Sequence, residues 1–246
     1  MVTMEKCLNC NTEFTVNYCN NCGQKRTRGD LTIKMVFSDF IESVFLFDSS
    51  LHKTLIGLLL KPGKTVQSYL EGKRKKYFPP FQFFLLFMTI YLLILAFFGD
   101  TYFEYVESGL QLESDNISED IFLENFVRKN LNILYFIFVP ILAFFINLFY
   151  KKIKFNYAEI LLFLLYVMGI MFFLSSIMLL LGQINTIVFT VKSLIGLGYL
   201  IFAIVQFTNT SSFWGITKAL LTVVLSYTIF ALIILVFVSF YIEIFV

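Results

Sequence analysis

All four cysteines of this chain lie close to its amino terminus, as two Cys-x-x-Cys pairs: Cys7 with Cys10, and Cys19 with Cys22. Each pair can form a tight turn that presents two thiolates to one ion, and two such pairs suit a tetrahedral metal site. The pattern favours structural zinc, with iron or a redox-active dithiol as the alternatives. Because four protein ligands leave no position for water, we expect no catalysis at this metal.

Residues 1–30 are predicted to form a small zinc ribbon around this site. The stretch is too short to bury a core of its own, so metal binding would supply its folding free energy. Gly23 directly follows the last cysteine and leaves the backbone free to turn there. A cytoplasmic location would keep the thiols reduced and therefore disfavours disulfides.

The rest of the chain has the composition of an integral membrane protein. Of the 246 residues of the whole chain, 58% are hydrophobic and only 15% are charged, whereas a soluble domain of this length needs a more polar surface. The charges are also segregated. Twelve of the 19 Lys and Arg residues fall within residues 1–80, and eight of the 17 acidic residues fall within 99–130. The basic run adjoins an apolar segment and not a soluble face, so we expect no nucleic-acid partner.

Five apolar runs are long enough to cross a membrane, which takes roughly 20 helical residues. Because lipid offers no partners to unpaired backbone groups, we predict an all-α membrane domain over residues 81–246 with about five transmembrane helices. A re-entrant hairpin in the last run would return the carboxyl terminus to the starting side. The predicted spans are Phe81–Phe98, Leu131–Tyr150, Tyr157–Leu181, Ile187–Phe207 and Ile216–Ile242.

The positions of Lys and Arg predict the orientation of these spans. Lys73–Lys76 precede the first span, three lysines lie within residues 151–154, and Lys218 lies between the fourth and fifth spans. Placing all of these in the cytoplasm makes the amino terminus cytoplasmic. The same choice makes residues 99–130 an external acidic loop.

Residues 31–80 are predicted to lie at the cytoplasmic surface of the membrane. Residues 31–47 have an apolar and a polar face at helical spacing, which suits a helix in the interface or a helix packed on the ends of the spans. The basic run before the first span suits anionic lipid headgroups, and a plain topological anchor is its alternative. The headgroup residues that we predict are Lys73, Arg74, Lys75 and Lys76.

The segment between the ribbon and the first span resembles part of a known family. Behind the two cysteine pairs come Lys61–Gly63, Tyr69–Arg74 and Tyr77–Phe81, in an order similar to that of a family of bacterial multi-pass membrane proteins. That family is defined by a domain of unknown function behind an amino-terminal zinc ribbon. The resemblance covers about residues 7–90. It implies a four-cysteine metal site and a location in the bacterial inner membrane, and it implies no reaction.

The spans themselves offer few groups that carry chemistry. Lys192 is the only charge well inside a run, and it lies near an end from which a lysine can snorkel. His52 is the only histidine, and the motifs of zinc proteases, serine hydrolases and phosphate-binding loops are missing from the sequence. We therefore expect a non-enzymatic membrane platform that binds a protein partner or lipid through its ribbon and interfacial helices. The alternative is a small transporter or channel component, supported by Lys192 and by a kink at Pro140.

Overall fold

A computed structural model describes the ribbon, the segment before the first span and most of the helical domain. The described residues are 5–15, 17–24, 50–110, 134, 136–151 and 154–245, so the segment 31–47 lies outside them. This part of the chain forms the helices Ser50–Leu60 (α1), Pro62–Leu70 (α2), Pro80–Phe98 (α3), Asp100–Leu110 (α4), Phe136–Phe149 (α5), Tyr157–Gly182 (α6), Ile187–Phe207 (α7) and Phe213–Phe245 (α8). A 3-10 turn at Arg74–Lys76 lies between α2 and α3.

The amino-terminal ribbon contains a short antiparallel hairpin. Its strands are Glu5–Lys6 (β1) and Glu13–Phe14 (β2). Phe14 is buried with Cys7 and Cys19 in a cluster separate from the core of the helices. So few apolar side chains do not stabilise a fold by themselves, in line with the expectation that a metal ion supplies the folding free energy.

Four helices, α3, α6, α7 and α8, are long and apolar enough to cross a membrane, and they correspond to four of the five predicted spans. They indicate a membrane protein. The last is one continuous helix over its described length, without a re-entrant hairpin. The described part of α5 is shorter than the roughly 20 residues that a crossing needs. Residues 131–133 lie outside the described part of the chain, and the fifth crossing therefore stays a prediction.

The helix boundaries follow local signals in the sequence. Pro62 and Pro80 occupy the first positions of α2 and α3, where the missing N–H would have no helical partner. A capping box starts α6: the Asn156 side chain accepts a hydrogen bond from the Glu159 N–H at 2.9 Å, and the Glu159 carboxylate accepts one from the Asn156 N–H at 2.8 Å. These signals fix where the connecting loops leave the helical body.

Helix α6 lies at the centre of the helical body. Its Phe163 ring stacks on Phe207 of α7, with the ring centroids 4.1 Å apart and the planes at 8°. Gly169 lets α3 approach on another side, since a Cβ at this position would lie 2.5 Å from the ring of Phe83. The apolar core of the protein therefore surrounds this one helix.

The segment that leads from the ribbon to the first span packs on one end of the helical body. The buried Tyr166 of α6 donates a hydrogen bond to the Phe78 carbonyl at 2.5 Å, and the Phe78 N–H donates to the Thr54 hydroxyl of α1 at 2.7 Å. Gly63 of α2 lies so close to α7 that a Cβ there would be 2.5 Å from the carbonyl of Gln206. These contacts hold α1 and α2 against the ends of the spans.

The two ends of the helical body differ in the residues that they gather. At the end where α2 packs, one cavity is lined by the lysines of the α5–α6 connection and of the start of α8. At the other end, the Thr101 hydroxyl donates to the Gln183 side chain at 3.0 Å, and the first residues of the acidic segment form α4. Residues 111–130 lie outside the described part of the chain. The basic connections thus share one end, which is the relative placement that the predicted topology requires.

Candidate metal centre

The first cysteine pair lies on a tight turn closed by backbone hydrogen bonds. The Asn11 N–H donates to the Cys7 carbonyl at 2.8 Å, and the Cys7 N–H donates to the Thr12 carbonyl at 2.9 Å. Cys10 lies inside this loop of chain. The turn therefore brings the two sulfur atoms of the pair to the same side.

The second cysteine pair repeats this turn bond for bond. The Gly23 N–H donates to the Cys19 carbonyl at 2.8 Å, and the Cys19 N–H donates to the Gln24 carbonyl at 2.9 Å. Each turn needs a left-handed residue just after its second cysteine, with φ of 60° at Asn11 and 69° at Gly23. Glycine and asparagine are the residues that best tolerate this conformation. Sequence reasoning identified the role of Gly23 and missed that of Asn11. Asn11 follows Cys10 as Gly23 follows Cys22, and this equivalence was the signal that could have predicted it.

The four sulfur atoms converge from these two turns. The Cys7 and Cys22 sulfurs are 3.5 Å apart, as are those of Cys10 and Cys19, and all four atoms lie within 4.8 Å of one another. Disulfide sulfurs lie about 2.05 Å apart, so these thiols are free. Tetrahedral zinc with Zn–S bonds of about 2.3 Å separates its sulfurs by about 3.8 Å. The four predicted ligands are therefore brought together in a cluster that can hold a metal ion.

The thiols of the cluster differ in their acidity. Burial raises the pKa of Cys7 to about 11. A hydrogen bond with the Thr12 side chain, at a sulfur–oxygen distance of 3.3 Å, lowers the pKa of Cys10 to about 6. The Asn21 amide donates to the same threonine hydroxyl at 3.2 Å and so orients it. A metal ion that binds here must displace the proton of the buried thiol, so binding releases protons.

Gln24 joins the ribbon to the helical body. Its side-chain N–H donates to the Gly72 carbonyl at 2.5 Å, and its side-chain oxygen accepts from the Lys75 N–H at 3.3 Å. Gly72 has a φ of 105° and packs against the Leu8 side chain between the first two cysteines. The cysteine cluster thus packs on the turn that follows α2. Sequence reasoning had assigned no contact to this glutamine.

The four predicted headgroup residues lie together on that same turn. Arg74, Lys75 and Lys76 form the 3-10 turn, and the last two are exposed. The Lys73 ammonium lies 4.0 Å from the Glu71 carboxylate, and the Lys76 ammonium lies 5.4 Å from the centre of the Tyr77 ring. The structure therefore gathers the cationic groups beside the ribbon, and their contact with lipid stays a prediction.

The other residues that the sequence analysis considered for a functional role lie away from the cysteine cluster. The Lys192 ammonium rests 3.9 Å from the centre of the Tyr102 ring, at the end of the helical body opposite the ribbon. It also lies 5.5 Å from the centre of the Tyr91 ring, so the ammonium packs on two aromatic rings, and its snorkelling stays a prediction. His52 is exposed on α1. Pro140 lies inside α5, and its carbonyl accepts a hydrogen bond from the Tyr157 hydroxyl at 3.2 Å.

Comparison with known proteins identifies one family match. The family model described as "Protein of unknown function (DUF3667)" matches residues 48–92. No curated protein and no solved structure matches the chain. The matched segment contains α1, α2, the basic turn and the first part of α3. It is therefore the segment on which the ribbon is seated, and it includes most of the residues that carried the resemblance.

Proposed function

We propose that this protein is a non-enzymatic platform in the bacterial inner membrane, which holds a zinc ribbon at the cytoplasmic surface to bind a protein partner. The observation that carries the proposal is the pair of hydrogen bonds in which the Gln24 side chain donates to the Gly72 carbonyl and accepts from the Lys75 N–H. A ribbon on a free linker would sample many positions. A ribbon seated on the membrane domain presents one fixed surface to a partner, which lowers the entropic cost of binding.

Zinc is the metal that best suits this centre. Four thiolate ligands in a closed tetrahedral arrangement are typical of structural zinc sites, whose role is to hold the fold. The repeated turns around Cys7 and Cys19 orient the sulfurs, and the buried Phe14 side chain packs with them in this small cluster. With all four positions taken by protein, the ion has no place for a substrate, which supports a docking role over catalysis.

The basic turn supports a lipid contact as the second element of the platform. Lys75 and Lys76 are exposed beside the ribbon, and cationic residues near an anionic leaflet each contribute about 1 kcal/mol to membrane attraction. Such a contact would hold the ribbon close to the membrane surface. The same positive charge favours a cytoplasmic position for this end of the protein.

Site-specific photo-crosslinking in intact membranes tests the platform. A photo-reactive phenylalanine at Tyr18, a half-exposed position on the ribbon, is expected to form a discrete protein adduct. The same group at Ile184, which is exposed at the opposite end, is the matched control and should not form that adduct.

A second variant connects the adduct to the metal centre. Combining the Tyr18 crosslinker with Cys19→Ser should abolish the adduct, while the helical domain stays folded and in the membrane. An adduct that persists at full yield without bound metal, or no ribbon-specific adduct in any growth condition, would count against the platform.

A further inference from the structure

A cavity of about 840 Å³ opens at the ribbon end of the helical body, between α2, the α5–α6 connection and the start of α8. Three lysines line it, two from the α5–α6 connection and one from α8, together with hydroxyl groups of the α7–α8 connection. These lysines are Lys151, Lys154 and Lys218. The cavity is distinct from the metal centre and from the basic turn, so it does not depend on the proposed platform.

The positive charge of the cavity is available to a ligand. Two carboxylates also line it, but each already has a partner: Glu159 accepts the Asn156 N–H at 2.8 Å, and Glu71 lies 4.0 Å from the Lys73 ammonium. Within the described part of the chain, none of the three lining ammonium groups forms an ion pair. The Lys218 ammonium instead lies 4.8 Å from the centre of the Tyr150 ring. The lining thus carries three cations against two carboxylates, one of which is paired with Lys73 outside the cavity, so positive charge is in excess there.

The remaining walls of the cavity are of two kinds. Leu148, Phe149 and Phe155 give an apolar wall, and the first of these is 43% exposed. The hydroxyls of Thr208 and Thr210, 2.7 Å apart, give a polar one. A ligand that matches both walls has an anionic head with hydrogen-bond acceptors and an apolar continuation.

The depth of the cavity fits the headgroup layer of a membrane. The Tyr150 hydroxyl, which lines it, donates to the Gly215 carbonyl at 3.3 Å. Phe213 and Trp214, which directly precede Gly215 in the chain, are each 78% exposed at the first turn of α8. Exposed aromatic residues at the end of an apolar helix are typical of the membrane–water interface.

We infer that this cavity binds the phosphate of an anionic phospholipid, with the lysines and the Thr210 hydroxyl around the phosphate and the apolar wall along the start of an acyl chain. The Thr208 hydroxyl already donates to the Ile204 carbonyl at 2.8 Å, so Thr210 is the hydroxyl that can turn to donate to a phosphate oxygen. Lysine ammonium groups bind phosphate as point charges. A free phosphate ion would use only the polar half of this site. The apolar wall and the interfacial depth favour the lipid.

Quenching of tryptophan fluorescence tests the inference directly, because Trp214 is the only tryptophan of the chain and lies beside the cavity. The full-length protein is placed in neutral phosphatidylcholine bilayers that contain brominated phosphatidic acid or brominated diacylglycerol. These two lipids share their tails and differ in the phosphate. We expect half-maximal quenching at a mole fraction at least tenfold lower for phosphatidic acid.

Matched triple variants assign this preference to the cavity. Replacing the three lining lysines by alanine should abolish it, whereas replacing them by arginine should keep it. Alanine at Lys53, Lys61 and Lys64, which are exposed on α1, α2 and their junction and do not line the cavity, removes the same charge and should leave the preference unchanged. If the first variant does not fold, Lys154→Ala alone should weaken the preference about fivefold.

Three results would overturn the inference. They are equal quenching by the two lipids, a preference that survives loss of the lining lysines, and inorganic phosphate that binds as tightly as the lipid. The Cys19→Ser variant should keep the lipid preference, so a failed platform and a failed lipid site give different results.

Discussion

The Gln24 side chain donates a hydrogen bond of 2.5 Å to the carbonyl of Gly72, and this contact seats the cysteine cluster on the membrane domain. The two residues are 48 positions apart in the chain. The backbone carbonyl of the same glutamine also closes the second cysteine turn, by accepting from the Cys19 N–H. One residue thus takes part in the fold of the ribbon and in its attachment.

Replacing Gln24 should loosen the ribbon without removing its metal. Gln24→Ala loses one buried and one partly buried hydrogen bond, each worth about 0.5–1.5 kcal/mol, but keeps the backbone bond that closes the cysteine turn. We expect hydrogen exchange at the Lys75 amide to rise at least fivefold, with metal content unchanged. Asn20→Ala, at an exposed position of the same turn, is the control. Unchanged exchange in Gln24→Ala would show that the ribbon is not held by this contact.

Metal binding should weaken as the pH falls. Zinc needs thiolates, and protons compete for them, so occupancy decreases through the range in which the sulfurs become protonated. The Thr12 side chain lowers the pKa of Cys10 to about 6 and so keeps this ligand deprotonated at neutral pH. Thr12→Val raises that pKa, and we expect the midpoint of zinc release to move to higher pH. Competition with a chromogenic chelator between pH 5 and 8 measures both midpoints, and an unshifted midpoint would contradict the role of Thr12.

A methyl group at Gly63 should separate α2 from the end of α7. The added Cβ would lie 2.5 Å from the backbone carbonyl of Gln206. A backbone group in a helix cannot move aside as the end of a flexible side chain can. Overpacking of this kind costs typically 1–3 kcal/mol. We expect Gly63→Ala to lower the thermal midpoint of the purified protein. Gly198→Ala, where no atom lies within 4 Å of the new Cβ, is the matched control and should be neutral or mildly stabilising. Equal midpoints for the two variants would contradict the close packing of α2.

Tyr166 should stabilise the entry into the first span through its hydroxyl group. The side chain is fully buried and donates to the Phe78 carbonyl at 2.5 Å. Tyr166→Phe leaves that carbonyl without this donor, at a cost of about 1–3 kcal/mol. Tyr227→Phe is the control, because that hydroxyl lies on a 44% exposed residue of α8. Thermal unfolding of the two variants should differ, and an unchanged midpoint for Tyr166→Phe would contradict the contact.

Local patterns in the sequence predicted the parts of the structure that depend on local interactions. Two Cys-x-x-Cys pairs predicted the cysteine cluster, because each turn forms within six residues and presents two thiols that can share one ion with those of the other turn. Hydrophobic length predicted five spans, and the described residues contain four of them, because the length and composition of each single helix decide whether it can cross a membrane. The seat of the ribbon on Gly72 and the cavity around Lys154 and Lys218 depend on residues far apart in the chain. Spacing carries no signal for such contacts, and only the packing of α2, α5 and α8 creates them.

The two ends of the helical body should differ in their access to a membrane-impermeant maleimide. Thr101→Cys lies at the end of the helical body where the acidic segment begins. Ser211→Cys lies in the α7–α8 connection, at the end where the ribbon packs. With an amino terminus in the cytoplasm, whole cells should label the first variant at once and the second only after permeabilisation. The opposite result would reverse the predicted orientation and leave the fold unchanged.

The central claim, that Cys7, Cys10, Cys19 and Cys22 form one closed zinc centre, is tested most directly by X-ray absorption at the zinc edge of the purified full-length protein. The four sulfurs within 4.8 Å of one another predict about one zinc per chain with four sulfur neighbours at about 2.3 Å. A protein isolated under reducing conditions without zinc, or with nitrogen or oxygen in place of any sulfur, would contradict the claim.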